Sequence, residues 1–185
     1  MNLAMTRDRS IAQRWAAGIL TALLAAAALV VTVRSTAHAA LTPETTIPVG
    51  DFPASVAVSP DGTTVYVTRI LDDTLSVIDT STNTVIDTVT VGHRPDSVAV
   101  SPDGTTVYTA NSLDDTLSVI DTSTNTVIAT VTVGDDPDSV AVSPDGTTVY
   151  TANFSDDTLS VIDAATKTVI GTVTVGDGPR SVAVS

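Results

Sequence analysis

The sequence predicts an all-β protein built from repeated units of four short antiparallel strands. The first observation is a fixed period: a Val-Gly pair recurs every 42 residues and delimits units 49–90, 91–132 and 133–174 and a partial unit 175–185. The second is the pattern within each unit, where Val, Ile and Leu alternate with Ala, Ser and Thr between turn sequences. The third is the acid composition: all but one of the acidic residues after position 40 are Asp, which favours turns and caps over helices.

The N-terminal segment has the pattern of an export signal. A short basic stretch precedes an apolar run, 15–33, that contains no ionisable residue, and small residues follow at 37 and 39. We therefore predict a helical secretory signal peptide over 1–39, cleaved after Ala39, and a repeat domain over 40–185. The alternative is that the apolar run is retained as a membrane anchor, since it is just long enough to span a bilayer. In both cases the remainder is expected to be secreted or displayed at the cell surface.

Charge and composition exclude several classes of protein. Residues 40–185 contain four basic and twenty acidic residues, a formal charge of −16. Nucleic-acid binding needs a clustered basic surface, so we expect no nucleic-acid partner. The chain contains no cysteine, which excludes disulfides, thiolate nucleophiles and zinc–thiolate sites. So strong a negative charge resists compaction, and added salt should relieve it.

Four strands are predicted in each unit, shown here for the second one. The first strand alternates over 97–101 and ends at a tight turn, 102–104, where Pro fixes one backbone angle and Gly admits a positive φ. The other three strands are predicted at 105–110, 116–121 and 126–133.

The strands carry no row of charges on either face, which is typical of sheets covered on both sides. Radially stacked blades provide that cover, so the repeats predict a β-propeller of four-stranded antiparallel blades. About three and a half blades are expected, because 45–49 matches a fourth strand and 181–185 matches a first strand. Such a ring is too small to close. We expect a truncated piece of a longer propeller; the alternative is completion by another chain through the open blade edges.

Two repeated blocks resemble a known family. Ser-Val-Ala-Val-Ser-Pro-Asp-Gly-Thr-Thr-Val-Tyr begins at 55, 97 and 139, and Asp-Asp-Thr-Leu-Ser-Val-Ile-Asp begins at 72, 114 and 156. With these blocks, the chain from residue 45 resembles the YVTN family of β-propeller repeats. The resemblance implies an exported or surface location, a seven-bladed ring, and a scaffold shared with lactonase-like and quinoprotein-type propellers. The family's name motif is altered in every copy, with Arg69 where Asn is expected and Thr-Ala replacing Val-Thr in the other two.

Differences between the units are concentrated in two loops, one after each Val-Gly pair and one between the second and third strands. These loops are expected at the same end of an up-and-down sheet, opposite the nearly invariant turns, and loops on a rigid scaffold often carry recognition. The candidate ligand-binding residues there are Asp51, His93, Arg94, Asp135, Asp136, Asp177, Arg180 and the pairs Asp72-Asp73, Asp114-Asp115 and Asp156-Asp157. The Asp pairs are also candidate weak calcium ligands. Neutral drift of the loops, and Asp serving solubility and turn capping, are the alternatives.

The function predicted from these features is a binding or interaction scaffold that presents an acidic loop face to an extracellular protein or small ligand. His93 is the only histidine after the signal segment, so a Ser-His-Asp relay or a histidine metal site would depend on one residue. No cofactor other than calcium is expected. The alternatives are a lactonase-like or quinoprotein-like enzyme whose site needs further blades, and a nonfunctional remnant of an array.

Overall fold

The computed structural model describes residues 46–185, in which twelve β-strands form three four-stranded antiparallel sheets. Within each sheet the strands are hydrogen-bonded in chain order, which makes each sheet one blade. Blade 1 contains β1 (Pro53–Val58), β2 (Thr64–Arg69), β3 (Thr74–Asp79) and β4 (Thr84–Thr90). Blade 2 contains β5 (Pro95–Val100), β6 (Thr106–Asn111), β7 (Thr116–Asp121) and β8 (Thr126–Thr132). Blade 3 contains β9 (Pro137–Val142), β10 (Thr148–Asn153), β11 (Thr158–Asp163) and β12 (Thr168–Thr174).

The predicted all-β blade architecture is confirmed. β7 has the predicted bounds, and the other strands of blade 2 begin or end within two residues of the prediction. The two half-blade segments differ: residues 46–49 and 181–185 form no strand, because neither has a neighbouring strand to pair with among the described residues. The predicted signal peptide and its cleavage site lie outside the described residues. Within 46–185, no helix is long and apolar enough to cross a bilayer.

Hydrogen bonds within the turns explain why the turn sequences at one end of each blade hardly differ between units. The carboxylate of Asp103 accepts hydrogen bonds from the Ser101 hydroxyl and from the backbone N–H of Thr105, at 2.5 and 3.0 Å. The next residue, Gly104, has a φ of 74°, which a residue with a side chain adopts only at a cost. These hydrogen bonds, with that from Ser101 the largest contribution, lower the pKa of Asp103. Blades 1 and 3 repeat the arrangement at Asp61 and Asp145.

Apolar clusters between blades hold the structure together. We call the side of a blade that faces the following blade its trailing flank, and the opposite side its leading flank. The trailing flank of blade 1 and the leading flank of blade 2 form one buried cluster: Tyr66, Leu75, Val77 and Val89 with Val98, Val107 and Ile120. Blades 2 and 3 form the corresponding cluster one period later. The inner strands β1, β5 and β9 lie side by side, as propeller blades around a hub require.

Repeated hydrogen bonds between inner strands fix the spacing of the blades. The backbone N–H of Val98 donates to the Ser55 hydroxyl at 3.2 Å, and that of Val140 donates to Ser97 at 3.2 Å. Val182 continues the series with a bond to Ser139 at 3.3 Å, so the residues after blade 3 follow the path of a further inner strand.

Candidate functional site: the variable loop face

The loops that vary between units lie at one end of the blades. In each blade the loop arriving from the preceding unit, which we call the incoming loop, is hydrogen-bonded to the loop between the second and third strands. The backbone N–H groups of Ile70, Ser112 and Phe154 donate to the carbonyls of Phe52, Arg94 and Asp136 at 3.1, 3.0 and 2.9 Å. The two kinds of loop therefore form one surface, the variable face, made of residues 50–54, 70–73, 92–96, 112–115, 134–138, 154–157 and 176–180.

The Asp pairs on this face accept backbone hydrogen bonds. The first Asp of a pair binds the incoming loop of its own blade: Asp114 accepts from the N–H of His93, and Asp156 from that of Asp135, both at 2.8 Å. The second Asp binds the incoming loop of the following blade. The donors are backbone N–H groups: that of Arg94 donates to Asp73, that of Asp136 to Asp115 and that of Gly178 to Asp157, at 2.9, 3.0 and 2.8 Å.

The pairs of blades 2 and 3 thus each connect two neighbouring incoming loops, a role that sequence reasoning missed. The available signal was that Asp-Asp stays constant beside loops whose other residues change. Blade 1 departs from the pattern, since Asp72 forms an ion pair with Arg69 at 3.0 Å. The carboxylates predicted as weak calcium ligands therefore have a structural task.

His93 lies between two carboxylates from different blades. Its Nδ1 is 2.8 Å from Asp114 Oδ1 within blade 2, and its Nε2 is 3.9 Å from Asp73 Oδ2 on blade 1. The hydrogen bond with Asp114, together with both negative charges, raises the pKa of His93. At the next junction Asp135 takes the corresponding position, and the charge of Asp115, the largest of several causes, raises the pKa of Asp135.

Three carboxylates converge where the inner strands begin. One oxygen each from Asp96, Asp136 and Asp138 lies within 4.8 Å of the others, and all three side chains are partly buried. Burial is the largest cause of a raised pKa at Asp138, with the charges of Asp136 and Asp96 adding to it. Oxygen ligands at such spacing could hold a hard divalent cation.

Two arginines border this cluster. Arg180 Nη1 is 3.2 Å from Asp138 Oδ2, and its guanidinium lies 4.1 Å from the centre of the Phe154 ring. Arg94 Nε is 3.3 Å from Asp96 Oδ2, but among the described residues this buried oxygen has no hydrogen bond, so the contact is a poorly aligned ion pair. The cluster therefore combines excess negative charge with incomplete pairing.

Buried amides support the variable face in two of the blades. Asn111 donates to the hydroxyls of Thr116 and Ser118 at 3.1 and 2.9 Å and accepts from Thr109 at 3.1 Å. A Cβ at Gly92 would lie 2.6 Å from Asn111 Nδ2, which explains the glycine of the Val-Gly pair. Asn153 makes the equivalent hydrogen bonds in blade 3.

Blade 1 replaces this amide with an arginine. Arg69 donates to the Thr74 hydroxyl at 2.8 Å and to the Val49 carbonyl at 3.3 Å. Since arginine offers no acceptor, the threonine that would donate to it is replaced by buried Val67. The differences between blade 1 and the other two blades at positions 67 and 69 are therefore coupled.

A cleft of about 460 Å³ lies between blades 1 and 2. Its lining includes the hydroxyls of Thr116 and Ser118, whose oxygens already accept from Asn111, so their hydrogens can be donated to a ligand. The rest of the lining is Thr90, Val91, Gly92, Asp114, Val127 and Thr130. Such a surface suits a small polar molecule with several acceptors.

The structure brings together some of the predicted site residues and leaves others apart. Arg94, Asp136 and Arg180 join the carboxylate cluster, whereas Asp51 and Asp177 stay exposed on their own loops. The candidate ligand-binding residues named from the sequence do not include Asp96 and Asp138, although both positions vary between units. That variation, from Ala54 to two acids to Arg180, was the signal that could have found them.

Comparison with known proteins places the chain in a family. The family described as lactonase, 7-bladed β-propeller, matches residues 25–127, more than half of the chain. The chain belongs to this family of lactonase-type seven-bladed propellers. The description YNCE-like β-propeller matches residues 104–184. No curated protein sequence matches the chain.

Comparison with solved structures agrees with the propeller fold. A chain of Kuenenia stuttgartiensis hydrazine synthase is 32% identical, with a TM-score of 0.68 over 70% of this chain and 38% of its own. The present chain thus spans well under half the length of that protein. Since 1203 chains of solved structures match, the likeness indicates a propeller architecture and not one particular activity.

Proposed function

We propose that the chain is an exported β-propeller that acts as a binding scaffold outside the cytoplasm, with the variable face as its recognition surface. The observation that carries this proposal is the convergence of Asp96, Asp136 and Asp138, which come from two adjacent blades and are only partly paired. Burying like charges costs free energy, and a cationic partner would recover part of it. The proposed ligand is a basic protein surface or a small cation-bearing molecule.

The arrangement of the loops supports this role. The incoming loops are fixed to the Asp pairs of neighbouring blades, so the recognition surface is held by many backbone hydrogen bonds. A surface fixed in advance loses little conformational entropy when a ligand binds. The opposite face consists of turns whose carboxylates bond within the turn, which leaves them less available to a partner.

A matched pair of single substitutions tests the binding surface. Oligolysine serves as the probe, and its affinity is measured by calorimetry at low and high salt. Asp135→Asn on the variable face should weaken binding by about threefold, since an exposed ion pair contributes ~0.2–1 kcal/mol. Asp87→Asn removes the same charge from exposed β4 and should leave the affinity nearly unchanged. Equal losses in the two variants would show that oligolysine senses only net charge and would contradict a localised surface.

Export has its own test. When the full reading frame is expressed in a bacterial host, N-terminal sequencing of the protein recovered outside the cytoplasm should begin at Ala40. Protein that stays in the cytoplasm would contradict the proposal, and uncleaved protein in the membrane would support the anchored alternative.

A second candidate is a lactonase-like hydrolase, favoured by the family match over residues 25–127. In the described part of the chain, the imidazole of His93 contacts Asp114 and Asp73 and no serine hydroxyl. Lactone hydrolysis above the buffer rate that disappears in His93→Ala would favour the enzyme over the scaffold.

A further inference from the structure

The cleft between blades 1 and 2 has a buried hydroxyl group at its base. Ser118 lines the cleft and is only 1% exposed, and its oxygen accepts a hydrogen bond from Asn111 Nδ2 at 2.9 Å. A serine hydroxyl also has one hydrogen to donate, and among the described residues that hydrogen has no acceptor. Because a buried donor without an acceptor costs free energy, a molecule in the cleft that supplies an acceptor would be stabilised there.

Two further hydroxyls lie beside Ser118 on the leading flank of blade 2. Thr130 is opposite Ser118 in the register of β7 and β8, and Thr116, two residues before Ser118, points to the same side of the sheet. The Thr116 oxygen accepts from Asn111 Nδ2 at 3.1 Å, so its hydrogen is available, while the exposed Thr130 hydroxyl at the rim can both donate and accept. One wall of the cleft therefore presents three hydroxyls from neighbouring positions.

The equivalent serines of the other two blades have an additional hydrogen bond to the backbone. Ser76 of blade 1 donates to the Val49 carbonyl at 3.2 Å, and Ser160 of blade 3 accepts from the Gly134 N–H at 3.3 Å. Between blades 1 and 2, the described residues include no bond of either kind from Ser118 to the backbone that leads into blade 2. Ser118 therefore has hydrogen-bonding capacity that its counterparts use within the protein.

The charge of the lining favours a neutral ligand. Asp114 places a negative charge at the cleft, which opposes the binding of an anion. A cation would gain little from this carboxylate, because Oδ2 already accepts from the His93 N–H and Oδ1 lies 2.8 Å from His93 Nδ1. Val91 and Val127 add apolar surface to the lining. The cleft volume of about 460 Å³ lies within the range of ~300–1,000 Å³ that is usual for small-molecule sites.

We propose that this cleft binds a neutral polyol, with ligand oxygens accepting hydrogen bonds from the hydroxyls of Ser118, Thr116 and Thr130. A polyol fits because each of its hydroxyls can accept one hydrogen bond and donate another, while its C–H groups pack against the valines. The site is independent of the cationic partner proposed for the variable face. A Kd of about 1–10 mM is expected, because a ligand of about a dozen heavy atoms has limited binding free energy.

NMR titration of the ¹⁵N-labelled full chain tests the site, with myo-inositol and trehalose as separate probes. At least one probe should shift the backbone amide signals of Gly92, Thr116 and Ser118 along a single saturable curve. Ser118→Ala and Thr130→Val should each weaken the apparent Kd by about threefold or more, as expected for the loss of one hydrogen bond. No saturable shift of these signals with either probe would overturn the proposal.

Thr172→Val provides the matched control, since Thr172 lies opposite Ser160 in blade 3 as Thr130 lies opposite Ser118 in blade 2. It should leave the Kd unchanged. Thr130 and Thr172 are both exposed, so this pair of variants should keep its strands by circular dichroism and decides the matter even if Ser118→Ala unfolds. Equal weakening by the two threonine variants would overturn the proposal. So would non-saturating shifts spread over the whole chain, which indicate a cosolvent effect.

Discussion

The two faces of the blades place aspartate in different electrostatic surroundings. On the invariant face, Asp103 accepts hydrogen bonds from residues two positions away, and its pKa is lowered. On the variable face, the charge of Asp115 from another blade raises the pKa of Asp135, and burial, with the nearby charges of Asp136 and Asp96, raises the pKa of Asp138. Aspartate therefore stabilises a turn where its hydrogen-bond donors are local. It is a destabilising charge where it is buried or close to the carboxylates of another blade.

The largest effect is expected beneath the variable face. Asn153→Ala removes a fully buried amide and leaves the hydroxyls of Thr151, Thr158 and Ser160 without that partner. The free energy of unfolding should fall by about 2–3 kcal/mol, the usual cost of unsatisfied buried polar groups. Urea unfolding followed by circular dichroism measures this loss.

Arg69→Ala is the control for this prediction, because the equivalent side chain in blade 1 is 19% exposed and water can take its place. It should destabilise the protein less than Asn153→Ala. The opposite order would mean that the amides are not what couples the strands at this end of the blades.

A smaller effect is expected on the invariant face. Because the folded-state pKa of Asp103 is lowered from 3.8, its stabilising contribution is present above that value and is lost as pH falls through the lower folded-state pKa. Asp103→Ala should therefore lower Tm at neutral pH and flatten the dependence of Tm on pH in strong acid. Thermal melts between neutral and strongly acidic pH measure both quantities. A constant difference from wild type at every pH would contradict the assignment of the carboxylate as the stabilising group.

His93 reverses the sign of this pH dependence. Its folded-state pKa is raised from 6.5, so its stabilising contribution is fully present below that value and is lost as pH rises through the folded-state pKa. His93→Gln should lower Tm in mild acid and have little effect at alkaline pH. The raised pKa values of Asp135 and Asp138 act in the same direction, since protonation relieves repulsion by Asp115 at Asp135 and removes a partly buried charge at Asp138.

Asp135→Asn separately tests the junction between blades 2 and 3. It should raise Tm at neutral pH, where wild-type Asp135 is charged beside Asp115, and the gain should shrink in acid as wild type becomes protonated. A loss of stability at neutral pH would show that the carboxylate contributes more as an acceptor than it costs as a charge.

The sequence predicted the strands and turns, which depend on neighbouring residues, better than it predicted the contacts between blades. The strands of blade 2 follow from alternation and from the turn at Asp103, both decided within a few residues. The convergence of Asp96 and Asp138 joins positions 42 residues apart, and only blade packing brings them together. Residues 181–185 were expected to be a strand because they repeat one, but a strand also needs a partner, which periodicity does not supply.

The smallest predicted effect is a difference between two salts in Tm. It distinguishes general charge screening from calcium binding on the variable face. Sodium chloride should raise the Tm of residues 40–185 by a few degrees, because it screens a formal charge of −16 that opposes compaction. Calcium chloride at the same ionic strength should raise Tm further, since a divalent cation can neutralise carboxylates held within 4.8 Å of each other. Asp138→Asn should remove this calcium increment and keep the response to sodium chloride. If the two salts raise Tm equally in wild type, the carboxylates of both faces respond to screening alone.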